Sequence, residues 1–281
     1  MRIDAHQHFW KLSERAGGWP PADLAAIYRD FAPGDLEPSL RASGIGGTVV
    51  VQSLPSVDET EFLLDLADRH DFILGIVGWV DLKAGDAAST IERLARRPKL
   101  RGLRPMLQDI EATDWIDDPV IAPAVAAMSA HHLTFDALVT PRHFAVLTTF
   151  ANRYGDLPIV IDHAGKPPIS SGRYHEWRVA MSSLARLPNV HCKLSGLLTE
   201  AGLQRPEAIR PYAETILELF GEDRTIWGSD WPVILLDSSY ETWLSICLDL
   251  VPGDHHPKVF AGNAKSFYGL QIESGQRVAS R

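Results

Sequence analysis

The stretch GTVVVQSLPSVDETEFLLDLA, Gly47 to Ala67, reads as one strand followed by one helix. Its first half is the β-branched run Thr48-Val49-Val50-Val51, closing on Gln52. Such stiff side chains suit a strand buried on both faces. Its second half opens on Asp58-Glu59-Thr60-Glu61 and continues through Phe62, Leu63, Leu64, Leu66 and Ala67. Acidic residues ahead of apolar ones at helical spacing predict an amphipathic helix.

The same unit recurs along the chain. Strand-like runs are predicted at Arg2–His6, Gly47–Gln52, Ile73–Val80, Leu100–Met106, Leu133–Val139, Pro158–His163, Asn189–Leu194 and Thr225–Ser229. Asp118-Pro119, Pro141 and Pro206 mark helix starts, because proline is favoured in a first turn. The second of these helices is expected to stop at Gly155 and the third at Gly221. Strands alternating with helices require a parallel sheet, since each crossover returns the chain to the same end. Eight units imply closure, so the predicted class is α/β, a (β/α)8 barrel forming a single domain over residues 1–281. Residues 271–281 turn polar and are expected to be a frayed tail. The competing arrangement is an open doubly wound sheet. It would carry a glycine-rich phosphate loop after an early strand, and none is found. The segment Lys11–Phe31 is long for a βα loop and is expected to cover part of the barrel mouth.

Composition narrows the partners. The formal net charge is −9, which argues against nucleic acid, because phosphate binding needs a basic face. Two cysteines, Cys192 and Cys247, make neither a disulfide framework nor a metal-ligand spacing. They read as small buried residues in a reducing compartment. No run is long and apolar enough to cross a bilayer, and the N-terminus lacks a signal-peptide pattern. The expected address is the cytoplasm.

Catalytic groups of such barrels sit at the C-terminal ends of strands. Strand one ends Asp4-Ala5-His6-Gln7-His8, and alternation puts His6 and His8 on one face. Two imidazoles there suit a divalent cation or a polarised carbonyl; otherwise they are hydrogen-bonded rim residues. Strand six ends Asp162-His163-Ala164-Gly165-Lys166. His163 can serve as donor, acid or ligand, whereas Asp162 is expected to point away from the lumen. Strand eight ends Gly228-Ser229-Asp230-Trp231-Pro232, with Ile226, Gly228 and Asp230 on one face. Asp230 could be a turn residue, but Pro232 follows too closely for a simple helix cap. Arg104 could hold a substrate oxygen or pair with Asp109 or Glu111. Gln52, Lys193 and Ser195 are further contacts to substrate; Lys193 could instead partner an inward Asp136. The remaining histidines, among them His143, are expected at the surface.

Five motifs occur in order: Asp4 to Trp10 (DAHQHFW), Leu100 to Pro105 (LRGLRP), Asp162 to Pro167 (DHAGKP), Cys192 to Leu197 (CKLSGL) and Gly228 to Val233 (GSDWPV). Together they resemble the amidohydrolase superfamily, in its amidohydrolase-2 branch of sugar lactonases and dicarboxylate-lactone hydrolases. The likeness is strongest to L-fuconolactonases and L-rhamnonolactonases and spans Ile3 to about Tyr268. It implies a distorted barrel and a hydrolase that opens a lactone ring. It also implies that His6, His8, His163 and Asp230 match the family's strand-one, strand-six and strand-eight residues. Arg104 falls where lactonases of the branch bind substrate.

Two departures limit the metal chemistry. Strand four has no bridging Lys or Glu, and strand five offers Asp136 where many metal-dependent members have histidine. A two-metal site is not expected. What remains is one Zn²⁺ on His6, His8 and Asp230, or no cofactor at all. The expected reaction has Asp230 as general base for water, with His6, His8, His163 and Arg104 stabilising the oxyanion. The alternatives are a metal-dependent decarboxylase of the superfamily and a non-catalytic ligand-binding barrel.

Overall fold

The computed structural model describes residues 1–15, 18–202 and 206–271. The tail expected to fray therefore lies, beyond its first residue, outside the described residues. The strands are β1 (Arg2–Gln7), β2 (Ile45–Val51), β3 (Ile73–Gly78), β4 (Leu100–Leu103), β5 (Thr134–Ala137), β6 (Ile159–Ile161), β7 (Val190–Leu194) and β8 (Thr225–Trp227). They form one eight-stranded sheet in sequence order, with every neighbouring pair parallel. The doubly wound alternative is thereby excluded, because its strand order would reverse at a switch point.

Helices fill the crossovers: α1 (Pro33–Ser43), α2 (Val57–Arg69), α3 (Ala87–Leu94), α4 (Ala122–Ala130), α5 (Phe144–Arg153), α6 (Tyr174–Ala185), α7 (Leu197–Ala201) and α8 (Arg210–Arg224). After β8 come α9 (Tyr240–Leu250) and α10 (Asn263–Phe267). Their starts follow local chemistry. Ser56 caps α2 by accepting from the Glu59 amide, and Asp118 accepts from Val120 ahead of the turn leading into α4. At the end of α8 the helical backbone breaks at Gly221, with φ 67°.

One apolar layer packs between sheet and helices, with Val50, Ile76, Phe135 and Trp227 facing outward from the strands. A second fills the barrel floor with Ile3, Ala5, Val49, Val51, Val77, Val160 and Ile226. This floor leaves the upper barrel to polar groups. Several strands end sooner than their apolar runs suggest. β4 stops before Arg104, β6 before Asp162 and β8 before Gly228. The polar residues thus sit just past the ladder, where the backbone is free to turn.

Candidate active site

β1 and the segment after β8 meet above the floor. The Asp230 amide donates to the His6 carbonyl at 2.8 Å, and the His8 amide donates to the Trp231 carbonyl at 2.7 Å. Asp4 locks the join. One of its oxygens accepts from the amides of His6 (3.1 Å) and Ser229 (2.9 Å), the other from Ser229 Oγ (2.6 Å) and Tyr240 (3.0 Å). Burial, opposed by these donors, pushes its carboxyl up to about 6. Residue 228 must be small, because a Cβ there would stand 2.6 Å from His6 Cβ.

Four predicted residues converge. Asp230 Oδ1 lies 3.2 Å from His8 Nε2, 3.7 Å from His6 Nε2 and 3.9 Å from His163 Nε2. Both His163 and Asp230 have left-handed backbones, at φ 51° and 60°. Non-glycine residues rarely adopt this conformation, and it clusters at functional sites. His8 is oriented by a hydrogen bond from Nδ1 to the Val51 carbonyl (2.7 Å), and His163 by Ser195 Oγ at its Nδ1 (2.9 Å). Gly196, at φ 66°, leaves room for that ring.

Electrostatics separate the roles. Burial pushes His163 down to about 4, against the pull of Asp230 and Asp162. Burial, reinforced by the charge of Lys193, also holds His6 well below its usual value. For Asp230 burial works in the opposite direction, toward protonation, but His163, His8 and His6 outweigh it and hold the carboxyl below the ordinary range. The site therefore presents a carboxylate among imidazoles.

A cavity of about 410 Å³ opens above these groups. His8, His163, Asp230 and Arg104 line it, together with Gln108, Asp109 and Lys166. Trp19 and Leu24, from the long segment after β1, form part of its wall, as do Met106, Leu138 and Leu236. His6, Gln52 and Lys193 are fully buried and lie outside this lining. Gln52 donates to the Arg104 carbonyl at 2.7 Å, and Lys193 pairs with Asp136 at 2.6 Å.

Three sequence expectations need correction. Asp162 points inward: it meets Lys193 at 2.9 Å, Arg104 at 3.2 Å and His6 Nδ1 at 3.4 Å. Asp162 keeps the inward parity of Val160, and it is His163 that departs from alternation, because β6 ends at Ile161 and the backbone turns left-handed at His163. Arg104 pairs with Asp162 and donates to the Gln52 carbonyl, not with Asp109 or Glu111. His143 is buried and accepts from the Thr140 amide at the start of α5. Asp4, which the sequence did not single out, faces away from the floor residues Ile3 and Ala5, and a register irregularity between Asp4 and Gln7 lets His6 turn to the lumen.

The donor atoms of His6, His8 and Asp230 lie within 4.8 Å of one another, as do those of His6, Asp162 and His163. Asp136, where a strand-five histidine would stand, is already engaged by Lys193 and by Tyr268 at 2.6 Å.

Residues 3–270 match the Amidohydro_2 family model, described as amidohydrolase. An L-fucono-1,5-lactonase of Burkholderia ambifaria is 57% identical, over 99% of both chains. A second L-fucono-1,5-lactonase, from Burkholderia multivorans, is 39% identical over 88% of this chain and 87% of its own. The fold also superposes on a crystal structure of a Burkholderia multivorans amidohydrolase with bound zinc. That likeness has a TM-score of 0.89 and 37% identity over 96% of this chain and 100% of the other. A parallel barrel closed by a His-x-His strand end, matched over nearly its whole length, makes this chain a member of the amidohydrolase family.

Proposed function

We propose that this protein is a lactonase that hydrolyses the ring ester of a sugar-acid lactone. The observation that carries the reading is Asp230, a carboxylate at a cavity wall with His8, His163 and Arg104 beside it. The two L-fucono-1,5-lactonase relatives support a six-membered sugar lactone, with L-fucono-1,5-lactone the first candidate.

In this reading Asp230 takes a proton from water as the oxygen attacks the lactone carbonyl carbon. The carbonyl π electrons move onto oxygen, where Arg104 and His163 stabilise the charge. Donors so placed are worth roughly 3 kcal/mol each. The oxyanion then collapses, the ring C–O bond breaks, and Asp230 returns its proton to the leaving alkoxide. His6, beneath the cavity, braces Asp230. Gln52 and Lys193 hold Arg104 and the buried carboxylates rather than substrate.

The residues also fit one divalent cation. His8 Nδ1 is spent on the Val51 carbonyl, so Nε2 turns a lone pair toward Asp230 Oδ1 at 3.2 Å. His8, Asp230 and His6 would hold the ion. Zinc is the first choice for such a nitrogen-rich set, and when bound it supplies Lewis acidity and a more acidic water. The zinc-bound relative agrees with this.

A panel of aldonolactones, followed with a pH indicator with and without chelator, tests the proposal. Turnover is expected for at least one 1,5-lactone. A purified, folded protein inert toward the whole panel would refute it.

A further inference from the structure

Behind Trp19 and Ser53 lies an ion pair that the water-attack step does not use. Arg15, in the long segment after β1, and Glu59, in the first turn of α2, are both buried and stand 44 positions apart in the chain. Arg15 Nη2 donates to Glu59 Oε1 and, at 2.6 Å, to Ser53 Oγ, while Nη1 donates to the Trp19 carbonyl at 2.7 Å. Glu59 also accepts from Ser53 Oγ (3.1 Å), from the Ser53 amide (3.1 Å) and from the Leu54 amide. Neither charged side chain lines the cavity, but Trp19 and Ser53 both do.

A buried ion pair is a poor source of net stability, because desolvation offsets the attraction and apolar side chains of similar volume often serve as well. What it supplies is direction. A guanidinium holds five N–H donors in a rigid planar fork. Here that fork meets a carboxylate, a hydroxyl and a main-chain carbonyl at once, which an apolar contact could not orient. Trp10 braces the same group: its ring centre lies 5.2 Å from the Arg15 guanidinium carbon, and it meets the Trp19 ring edge-on at 5.2 Å. Trp10 is itself fixed by donation from Nε1 to the Arg29 carbonyl at 2.8 Å. We infer that Arg15 and Glu59 are positioning residues: together they tie Trp19 to Ser53 and so set the aromatic wall of the cavity.

The consequence for catalysis rests on the lactonase reading. Asp230, His163 and Arg104 attend the reacting carbonyl there, so the Trp19 wall meets the rest of the substrate. An aromatic face contributes much contact area at a fixed angle. Losing it weakens ground state and transition state alike, which shows in KM and not in kcat. A pair that served stability alone would behave differently. Breaking it would lower the folded fraction, and with it the apparent kcat, and leave KM where it was.

The test combines kinetics on the preferred lactone with ¹⁹F NMR of the full chain carrying 5-fluorotryptophan. Arg15→Met should raise KM at least about fivefold with kcat within about threefold. Trp19→Ala should raise KM as well, and the double variant should be no worse than Trp19→Ala, because both changes act on one wall. An unchanged KM in Arg15→Met, or KM effects that multiply in the double variant, overturns the inference. The NMR arm needs no substrate. The Trp19 resonance, assigned by its absence in Trp19→Phe, should show a larger H2O/D2O solvent isotope shift in Arg15→Met, while that of Trp177 in α6 stays the same. An unaltered isotope shift at Trp19 overturns the inference too. A protein inert on the whole lactone panel whose Trp19 becomes exposed in Arg15→Met would sink the lactonase reading alone. Should Arg15→Met not fold, Arg15→Lys, which keeps the charge and loses the fork, is read by the same criteria.

Discussion

His8 Nε2 and Asp230 Oδ1 stand 3.2 Å apart, while Nδ1 of the same ring donates to the Val51 carbonyl at 2.7 Å. The ring nitrogen and the carboxylate oxygen are both acceptors at that distance unless a proton or a cation lies between them. Such a contact is costly in a buried site, and its conversion into attraction is what a ligand there can supply. Metal titration follows directly: Zn²⁺ added to chelated protein should bind at one equivalent and raise Tm. A site occupied at 100 times Kd gains about 2.7 kcal/mol of stability. His8→Ala should abolish the shift. Zero or two equivalents, by calorimetry or elemental analysis, would contradict a single site.

Asp230→Asn removes the base but keeps the size. Loss of general-base catalysis typically costs about 10²–10⁴ in rate. Initial rates on the preferred lactone should show kcat reduced by that order with an intact fold by circular dichroism. Turnover close to wild type would eliminate the base assignment.

Gly196→Ala tests the seat of His163. The added Cβ would stand 2.6 Å from His163 Nδ1, on a backbone at φ 66°. Left-handed geometry alone costs an alanine about 1–2 kcal/mol. Urea unfolding should register at least that loss, and kcat should fall as the ring is displaced. An unaltered midpoint with unaltered kcat would show that the ring has room to spare.

His191, near the start of β7, makes stability depend on pH. It packs against Phe267 with ring centroids 4.7 Å apart, and burial, aided by the charge of Arg224, pushes its pKa down to about 4. The unfolded ring titrates near 6.5. Between these values the unfolded chain binds the extra proton, so stability falls as pH drops through 6.5 toward 4, by up to about 3 kcal/mol. Denaturant titrations across this window should be flatter for His191→Gln. Equal slopes would mean the ring protonates freely in the fold.

Cys192 and Cys247 are fully buried, and burial pushes both thiols up from their ordinary range. Neither should react with a thiol reagent in the native protein, and both should react in denaturant. Rapid native labelling would contradict that burial.

The barrel was legible because its signals are local. β-branched runs, acidic helix starts and prolines act over a few residues, and eight repetitions leave few topologies. His6, His8, His163 and Asp230 were legible for the same reason, as polar breaks at the ends of apolar runs. Alternation along extended backbone also put Ile226, Gly228 and Asp230 on one face, and the structure has Ile226 in the floor and Asp230 at the cavity.

What chain order could not supply was direction beyond the strand ends and partnership across the barrel. Parity of side chains holds only while the backbone stays extended; at His163, Ala164 and Asp230 φ turns positive and the parity rule lapses. Asp162 faces the lumen by the parity of Val160, and the left-handed turn at His163 is what brings that ring to the lumen beside it, so the two could not be told apart from alternation alone. The 3.2 Å contact of His8 with Asp230 joins residues 222 positions apart, and Asp4 meets Ser229 across 225. Short-range pattern names the groups that can do chemistry. Ring closure alone brings distant charges within hydrogen-bonding reach and removes the water that would otherwise screen them.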